Sequence, residues 1–205
     1  MSTPSPGKVF SFEVLGDLED KVGGQKSKSA FDQLMLDKFI ALDEDKCQFL
    51  YQLINAMGAT NVVEAGTSFG SGTVIATEKE AEKAAVARKY WAQCGDIVTE
   101  QVDLREGDLL ETLKTGLPQV DLLLLDSNLS ALSLPTLRTV QPYLRHGAVV
   151  LTDNTVSGAK GYADLLAYLR DHKNGFRNLT LPFSNGFEMS VYLPAANQVS
   201  CLPLL

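Results

Sequence analysis

The chain has 205 residues, of which 45% are hydrophobic and 21% charged, the balance of one ordinary globular domain. Its formal net charge is −7, and no run of the sequence is rich in Lys and Arg. Nucleic-acid-binding proteins usually present a basic patch, so this charge argues against a nucleic acid as partner and favours a small molecule.

The cysteines and the N-terminus predict a cytosolic protein. Cys47, Cys94 and Cys201 are odd in number and far apart, without the spacing of a metal site, so we interpret them as reduced thiols. The opening MSTPSPGKVF lacks the charged start and apolar run of a signal peptide. No apolar stretch approaches the roughly 18 residues that span a bilayer, so no membrane association is expected.

The chain divides into four predicted segments. Residues 1–30, rich in Ser, Pro, Gly and Lys, are expected to form a flexible arm that is either disordered or able to close over a ligand. Residues 31–58 are predicted to form one or two helices that end near Gly58, and residues 59–194 and 195–205 a core and a tail. The helical spacing comes from Leu34, Phe39, Leu42, Phe49, Leu50, Leu53, Ile54 and Met57.

The core opens with a strand, a glycine turn and a second strand that ends in an acid. The segment 61–70 is NVVEAGTSFG, and TVIATE follows at residues 73–78. Gly66 and Gly70 allow a tight turn and a close approach of the backbone to a ligand. Glu78 stands where the ribose of a nucleotide-type ligand is usually bound.

The connection between these two strands is unusually short. Only Ser71 and Gly72 separate Gly70 from Thr73, whereas parallel strands usually need a crossover of about a dozen residues or more. Either the sequence lacks a crossover segment at this point, or the two strands form a hairpin, which would place Glu78 far from Gly66. We favour the missing segment, because the later elements keep a regular alternation of strands and helices.

That alternation predicts a doubly wound, Rossmann-like α/β sheet, mostly parallel, with a C-terminal antiparallel hairpin. The hairpin turn is predicted at Ser184-Asn185-Gly186. The remaining predicted elements are a helix over 79–95, a strand over 102–105, a short helix from Asp108, strands over 120–126 and 147–154, and helices over 132–144 and 162–169.

Polar residues end two of the predicted strands, at Asp126 and at Asp153-Asn154. The ligand crevice of such a sheet lies beyond the carboxyl ends of its strands, so these side chains should converge. Two carboxylates and an amide oxygen suit a hard cation such as Mg²⁺. The alternative is that Asp126 caps a helix and that Asp153 and Asn154 order a turn.

From about residue 43 to residue 193 the sequence resembles class I S-adenosylmethionine-dependent O-methyltransferases, in particular the catechol and caffeoyl-CoA group and its fungal members. The resemblance implies the class I methyltransferase fold and the transfer of a methyl group to a hydroxyl of a small molecule, such as a phenol, with help from a divalent cation. The motifs that carry it are VVEAGTSFG, VIATEKE, REGDLL, LLLLD, TDNT and NGFEMSVY.

The resemblance also implies roles for individual residues. Glu64 would face the methionine end of S-adenosylmethionine, the glycine turn would bind its carboxylate, and Glu78 would bind the ribose. Asp108 could equally be only a helix cap, and Glu78 only the start of the next helix. The implied cosubstrate-binding residues are Glu64, Gly66, Thr67, Ser68, Gly70, Glu78, Gly107, Asp108 and Asp126, and the implied metal ligands are Asp126, Asp153 and Asn154.

The sequence departs from the catechol-type pattern at Leu129, where that pattern has a catalytic lysine three residues after the first metal-binding aspartate. The general base is therefore unassigned. Lys160 is a weak candidate, and His146 and His172 fit surface positions better.

Two other functions stay open, a nucleotide-cofactor oxidoreductase and a binding protein that kept the fold without catalysis. GTSFG departs from the G-x-G-x-x-G fingerprint of dinucleotide-binding oxidoreductases. The methyl acceptor and the oligomeric state are not determined by the sequence, and a homodimer through the first helices is one option.

Overall fold

The structure, a computed structural model, describes residues 42–65, 73–125 and 130–195. The predicted N-terminal arm and residues 196–205 of the predicted tail lie outside the described residues. So do five predicted site residues and the departure at Leu129. These five are Gly66, Thr67, Ser68, Gly70 and Asp126.

Seven strands, six α-helices and two short 3-10 helices, Gln141–Tyr143 and His172–Asn174, follow one another in the described part of the chain. The strands are β1 (Asn61–Ala65), β2 (Thr73–Glu78), β3 (Val102–Glu106), β4 (Val120–Leu125), β5 (Leu144–Asp153), β6 (Phe176–Leu181) and β7 (Phe187–Tyr192). The helices are α1 (Glu44–Met57), α2 (Ala81–Cys94), α3 (Asp96–Thr99), α4 (Leu109–Thr112), α5 (Ser130–Val140) and α6 (Ala163–Arg170).

The strands form one sheet in the order β3-β2-β1-β4-β5-β7-β6. The five strands from β3 to β5 are parallel, whereas β7 runs antiparallel to both β5 and β6. The prediction of a doubly wound, mostly parallel sheet with an antiparallel C-terminal hairpin is therefore confirmed. The predicted hairpin turn, Ser184 to Gly186, lies between β6 and β7, and both Asn185 and Gly186 have positive φ.

The pairing of β1 with β2 corrects one expectation. We expected a hairpin if the chain is continuous from Gly70 to Thr73, yet the two strands are parallel, with Asn61 opposite Thr73 and Ala65 opposite Thr77. Glu78 thus lies at the same end of the sheet as the end of β1. The parallel pairing keeps both strand ends at one edge, which the hairpin would have prevented.

Seven residues, 66–72, connect the two strands. The path from the end of β1 to the start of β2 is about 14 Å, made of four residue steps of about 3.3 Å and one strand spacing of about 4.8 Å. Eight extended Cα–Cα steps reach about 26 Å, so seven residues suffice to return the chain. The missing segment stays a prediction. An intact protein mass above that of the 205-residue sequence would support it.

The sheet is buried on both faces. All six residues of β4, Val120 to Leu125, are buried, because helices cover both sides of this central strand. On one face Leu50 and Ile54 of α1 pack against Val62, Leu122 and Leu151 in one core cluster. On the other face α4, α5 and α6 cover a second cluster, to which they contribute Leu109, Leu137, Val140, Leu165, Leu166 and Leu169. Each such side chain contributes roughly 1.5–3 kcal/mol through burial.

In the described ranges, 42–65, 73–125 and 130–195, no helix is both long enough and apolar enough to cross a membrane.

Candidate active site

Three acidic side chains lie near the carboxyl ends of parallel strands on the same face of the sheet. Glu64 is the last residue but one of β1, Glu78 ends β2 and Asp153 ends β5. Side chains alternate between faces along a strand, so these acids share the face of Val62, which α1 covers. The carboxyl edge is where open α/β sheets bind ligands.

Glu64 and Glu78 form the central pair of this edge. Glu64 lies opposite Ala76, two residues before Glu78, so the Cα atoms of the two acids are about 8 Å apart from the strand spacing and rise. Glu64 is only 2% exposed, and its main-chain oxygen accepts a hydrogen bond from Thr77. Two acids thus lie on adjacent strands near the carboxyl edge of the sheet.

The ends of β2 and β3 are joined at Gly107. Its backbone N–H donates to the Glu78 carbonyl at 2.9 Å, and its φ of +123° favours glycine. The Glu78 side chain accepts a hydrogen bond from the backbone N–H of Glu80 at 2.9 Å. The structure therefore brings Glu78, Gly107 and Asp108 together, as the predicted ribose and adenine site requires.

Asp108 caps α4. Its carboxylate accepts a hydrogen bond from the backbone N–H of Leu110 at 2.8 Å, which is the usual interaction of an N-cap aspartate. The structural role considered for Asp108 is thus present. An additional contact with adenine stays a prediction.

Asp153 is held by a lysine that the sequence analysis did not identify. The Asp153 Oδ1 atom accepts a hydrogen bond from the backbone N–H of Asn154 at 2.7 Å and forms an ion pair with the Lys46 Nζ atom at 2.8 Å. Lys46 is 0% exposed and Asp153 4% exposed. The ion pair therefore lies in the interior at the end of β5.

Lys46 joins three segments of the chain. Its ammonium also contacts the Asp43 carboxylate at 2.9 Å, and Asp43 accepts a hydrogen bond at 2.7 Å from the Ser184 hydroxyl of the β6–β7 turn. The centre of the Phe187 ring lies 6.0 Å from Lys46 Nζ, within reach of a cation–π interaction. The start of α1, the end of β5 and the hairpin turn are thereby fixed together.

The two neighbouring carboxylates favour the charged form of Lys46. Burial acts to lower the pKa of Lys46, but its interactions with the Asp153 and Asp43 carboxylates outweigh burial and raise the pKa above its ordinary value. Burial raises the pKa of the Asp153 carboxyl, and Lys46 offsets that rise only in part. At Asp43 burial is outweighed by the hydrogen bonds from Lys46 and Ser184, so its pKa is lowered.

This arrangement bears on the predicted metal site. Asn154 is buried and has a φ of +58°, whereas Asp126 lies outside the described residues. The charge of Asp153 is already compensated by the Lys46 ammonium, and a divalent cation on the same carboxylate would meet that positive charge at close range. Asp153 as it stands therefore does not fit the role of a metal ligand. Within residues 42–65, 73–125 and 130–195, no three His, Cys, Asp or Glu side chains are grouped as a metal would need.

A signal for Lys46 is present in the sequence. Leu42, Lys46, Leu50 and Ile54 follow one another at four-residue spacing, so Lys46 lies in the row of α1 that faces the core. A lysine at such a position requires a buried partner. The helix was predicted from its apolar residues alone, so Lys46 was not identified.

Lys160, the weak candidate for the general base, and the two histidines lie on the surface. Lys160 is exposed in the turn that follows β5, and His172 is exposed after α6. His146 is exposed near the start of β5, seven residues and about 23 Å of extended strand from Asp153. The expectation that the histidines are surface residues agrees with their exposure, and the general base stays unassigned.

Comparison with known proteins gives a consistent result. A family model described as "Methyltransferase domain" matches residues 48–155, more than half of the chain. No curated protein matches the sequence.

Many solved structures share the fold. Cofactor-bound Rv0187 from MTB is 21% identical, with a TM-score of 0.69 and coverage of 95% of this chain and 100% of that one. The O-methyltransferase TomG from Streptomyces achromogenes, in complex with SAM, is 19% identical, with a TM-score of 0.62 and coverage of 75% and 82%. SAH-bound methyltransferase PaMTH1 from Podospora anserina is 15% identical, with a TM-score of 0.66 and coverage of 91% and 99%.

At these identities the likeness shows the fold, and it confirms the class I methyltransferase architecture predicted from the strand plan. The particular similarity to fungal enzymes stays a prediction.

Proposed function

The chain belongs to the methyltransferase-domain family, and from this premise we propose that it transfers the methyl group of S-adenosylmethionine to a hydroxyl oxygen of a small molecule. The observation that carries the proposal is the pair of acids, Glu64 and Glu78, on adjacent strands at the carboxyl edge of the parallel sheet. The TomG structure in complex with SAM and the SAH-bound PaMTH1 structure support the choice of cosubstrate.

The acids suit the chemistry of the cosubstrate. S-adenosylmethionine carries a sulfonium, an amino-acid end, a ribose diol and an adenine, so its site needs acceptors, backbone donors and an apolar slot. Glu78 would accept hydrogen bonds from the ribose hydroxyls, and Glu64 would lie toward the methionine end. Gly107 and Asp108, joined to Glu78 through the backbone, would border the adenine.

The other predicted contacts are part of the proposal. Gly66, Thr67, Ser68 and Gly70 would donate backbone and hydroxyl hydrogen bonds to the methionine carboxylate. Asp126, which directly follows β4 in the sequence, is proposed as a further cosubstrate-binding residue.

Methyl transfer is a direct displacement. The acceptor oxygen attacks the methyl carbon, the bond from that carbon to sulfur breaks, and S-adenosylhomocysteine leaves with the electron pair. We route the hydroxyl proton to water, because Lys160, His146 and His172 all lie on the surface. Holding the oxygen and the methyl group in line supplies most of the acceleration, since proximity and orientation can contribute about 7–11 kcal/mol.

The resemblance to O-methyltransferases also implies a divalent cation bound by Asp126, Asp153 and Asn154. The pairing of Asp153 with Lys46 weighs against it, so no step of the proposed reaction passes through a cation.

The acceptor is proposed to be a small molecule such as a phenol. The loops that follow β4 and β5 would select it, because loops at this edge carry specificity. The cytosolic location and a homodimer stay predictions.

Titration calorimetry tests the cosubstrate. We expect heat with S-adenosylmethionine and none with NAD, both with and without Mg²⁺. Replacement Glu78→Gln should weaken S-adenosylmethionine binding about tenfold or more, because hydrogen bonds to a charged acceptor are worth roughly 1.5–3 kcal/mol. Glu82→Gln, the same change at an exposed position of α2, is the matched control.

The other outcomes point elsewhere. Heat with NAD alone would favour an oxidoreductase. The absence of heat with either ligand, from protein that is folded, would favour a binding protein without catalysis.

A further inference from the structure

We infer that the Lys46 ammonium is the resident counter-cation of Asp153, and that this chain holds its acceptor site together without a divalent metal at that carboxylate. The inference relies on the proposed function only for calling this edge the acceptor site. Lys46 is a positioning residue here, since it acts through Asp153 and Asp43.

The geometry supports a permanent pair. Lys46 Nζ lies 2.8 Å from Asp153 and 2.9 Å from Asp43, and the side chains of Lys46 and Asp153 are 1% and 5% exposed. The same Asp153 oxygen also accepts the Asn154 backbone N–H. Both contacts are to Oδ1, so an octahedral ion such as Mg²⁺, which needs ligands at about 2.0–2.1 Å, would have to bind the other oxygen of a carboxylate that already faces the ammonium.

The charges lead to the same conclusion. Lys46 carries one positive charge between two carboxylates, so the cluster keeps one net negative charge. A divalent ion bound to Asp153 would have to lie beside the ammonium, and in a buried setting that repulsion is weakly screened. Removal of the ammonium would instead favour binding of a divalent ion, because it would leave a buried carboxylate without a counter-charge.

The position of Lys46 explains what the pair does. It lies in the first turn of α1, while Asp153 ends β5 and Ser184, which donates to Asp43, lies in the β6–β7 turn. A metal would join side chains at the ends of β4 and β5. Lys46 instead joins the end of β5 to α1 and the hairpin, so it orders a different set of segments around the same edge.

Mn²⁺ is the probe for the test, because its binding is measured directly by electron paramagnetic resonance, independent of methyl transfer. We expect the unmodified full-length protein and the variant Asp153→Asn to bind the same amount of Mn²⁺. The unmodified protein should also unfold at the same temperature in excess MnCl₂ and in EDTA. Lys46→Met should unfold at a lower temperature in EDTA. It should gain Mn²⁺ affinity by about tenfold or more, and MnCl₂ should raise its unfolding temperature.

Two variants serve as controls. Lys173→Met makes the same change at an exposed lysine and should behave as the unmodified protein. Lys46→Met combined with Asp153→Asn removes both charges, so it should lose the Mn²⁺ response of the single variant.

One Mn²⁺ bound by the unmodified protein and lost in Asp153→Asn would overturn the inference. A Lys46→Met variant that folds normally and gains no Mn²⁺ affinity would also overturn it. If Lys46→Met does not fold, the comparison of the unmodified protein with Asp153→Asn decides alone. Failure of S-adenosylmethionine to bind would refute the proposed function and leave the Mn²⁺ result intact.

Discussion

Asp121 tests whether the amino edge of the sheet contributes to stability without contributing to the proposed site. It lies at the start of β4, at the amino edge, and its Oδ2 atom accepts hydrogen bonds from the backbone N–H groups of Thr60 and Asn61 at 2.8 and 2.9 Å. The Thr60 hydroxyl donates to the same oxygen at 3.2 Å, and Arg145 of β5 forms an ion pair with Oδ1. Asp121 thus ties β1, β4 and β5 together far from the proposed site.

The replacement Asp121→Asn should cost about 3 kcal/mol of the free energy of unfolding. Hydrogen bonds to a charged group contribute roughly 1.5–3 kcal/mol each, and loss of one partner of a buried ion pair costs roughly 3–5 kcal/mol. Asparagine keeps one acceptor oxygen, and Arg145 is partly exposed, so the lower end of that range applies. The affinity for S-adenosylmethionine should not change.

The effect should depend on pH. Burial alone would raise the pKa of the Asp121 carboxyl, but the hydrogen bonds from Arg145, Asn61 and Thr60 outweigh it and hold the pKa below its ordinary value. A lowered pKa in the folded state gives stability that is present above the unfolded pKa of about 3.9 and is lost as the pH falls through the folded pKa. The difference between the two proteins should therefore be full at pH 7 and shrink below about pH 4.

Urea unfolding at a series of pH values measures this difference, with Asp103→Asn as a control at an exposed aspartate of β3. A loss below about 1 kcal/mol at pH 7 would refute the reasoning, since that is the range of a surface ion pair. A loss that stays constant to pH 3 would show that the carboxylate charge is not the cause.

Three further changes test other parts of the structure. Asp108→Ala removes the hydrogen bond to the Leu110 backbone and should cost about 1 kcal/mol in urea unfolding, and an additional loss of S-adenosylmethionine affinity would support a second role in the site. Gly186→Ala should cost more than about 1 kcal/mol, because φ is +84° and the new Cβ would lie 2.5 Å from Val156 Cγ2, so unchanged stability would contradict the turn geometry. Glu188→Gln should cost about 2 kcal/mol by thermal unfolding, because this buried carboxylate accepts three side-chain hydrogen bonds, and a neutral effect would count against those contacts.

The alternation of strands and helices was predictable from the sequence because burial on both faces leaves a clear pattern. The continuous apolar run of β4 and the turn residues Asn185 and Gly186 each permit few alternatives. The acids at strand ends were predictable for a related reason, since topology alone places the carboxyl ends of parallel strands at one edge. The correct strand order was enough to predict the location of Glu64, Glu78 and Asp153.

Two features were not predictable in the same way. The parallel pairing of β1 and β2 did not follow from the crossover rule, because that rule describes helical connections and seven extended residues are long enough to return along a five-residue strand. Lys46 was missed because its partners Asp43 and Asp153 are three and 107 residues away, and the second contact follows only from packing α1 onto β5. That contact changes the expected chemistry of the site.

The most direct test of the central claim is a transfer assay with S-adenosylmethionine labelled in its methyl group. The protein is incubated in EDTA with a panel of phenols and other small hydroxyl compounds, and the products are identified by mass spectrometry. We predict an acceptor that carries the labelled methyl on oxygen, an equal amount of S-adenosylhomocysteine, and a large loss of both in Glu78→Gln. Folded protein that binds S-adenosylmethionine but forms neither product with any acceptor, with or without Mg²⁺, would contradict the account.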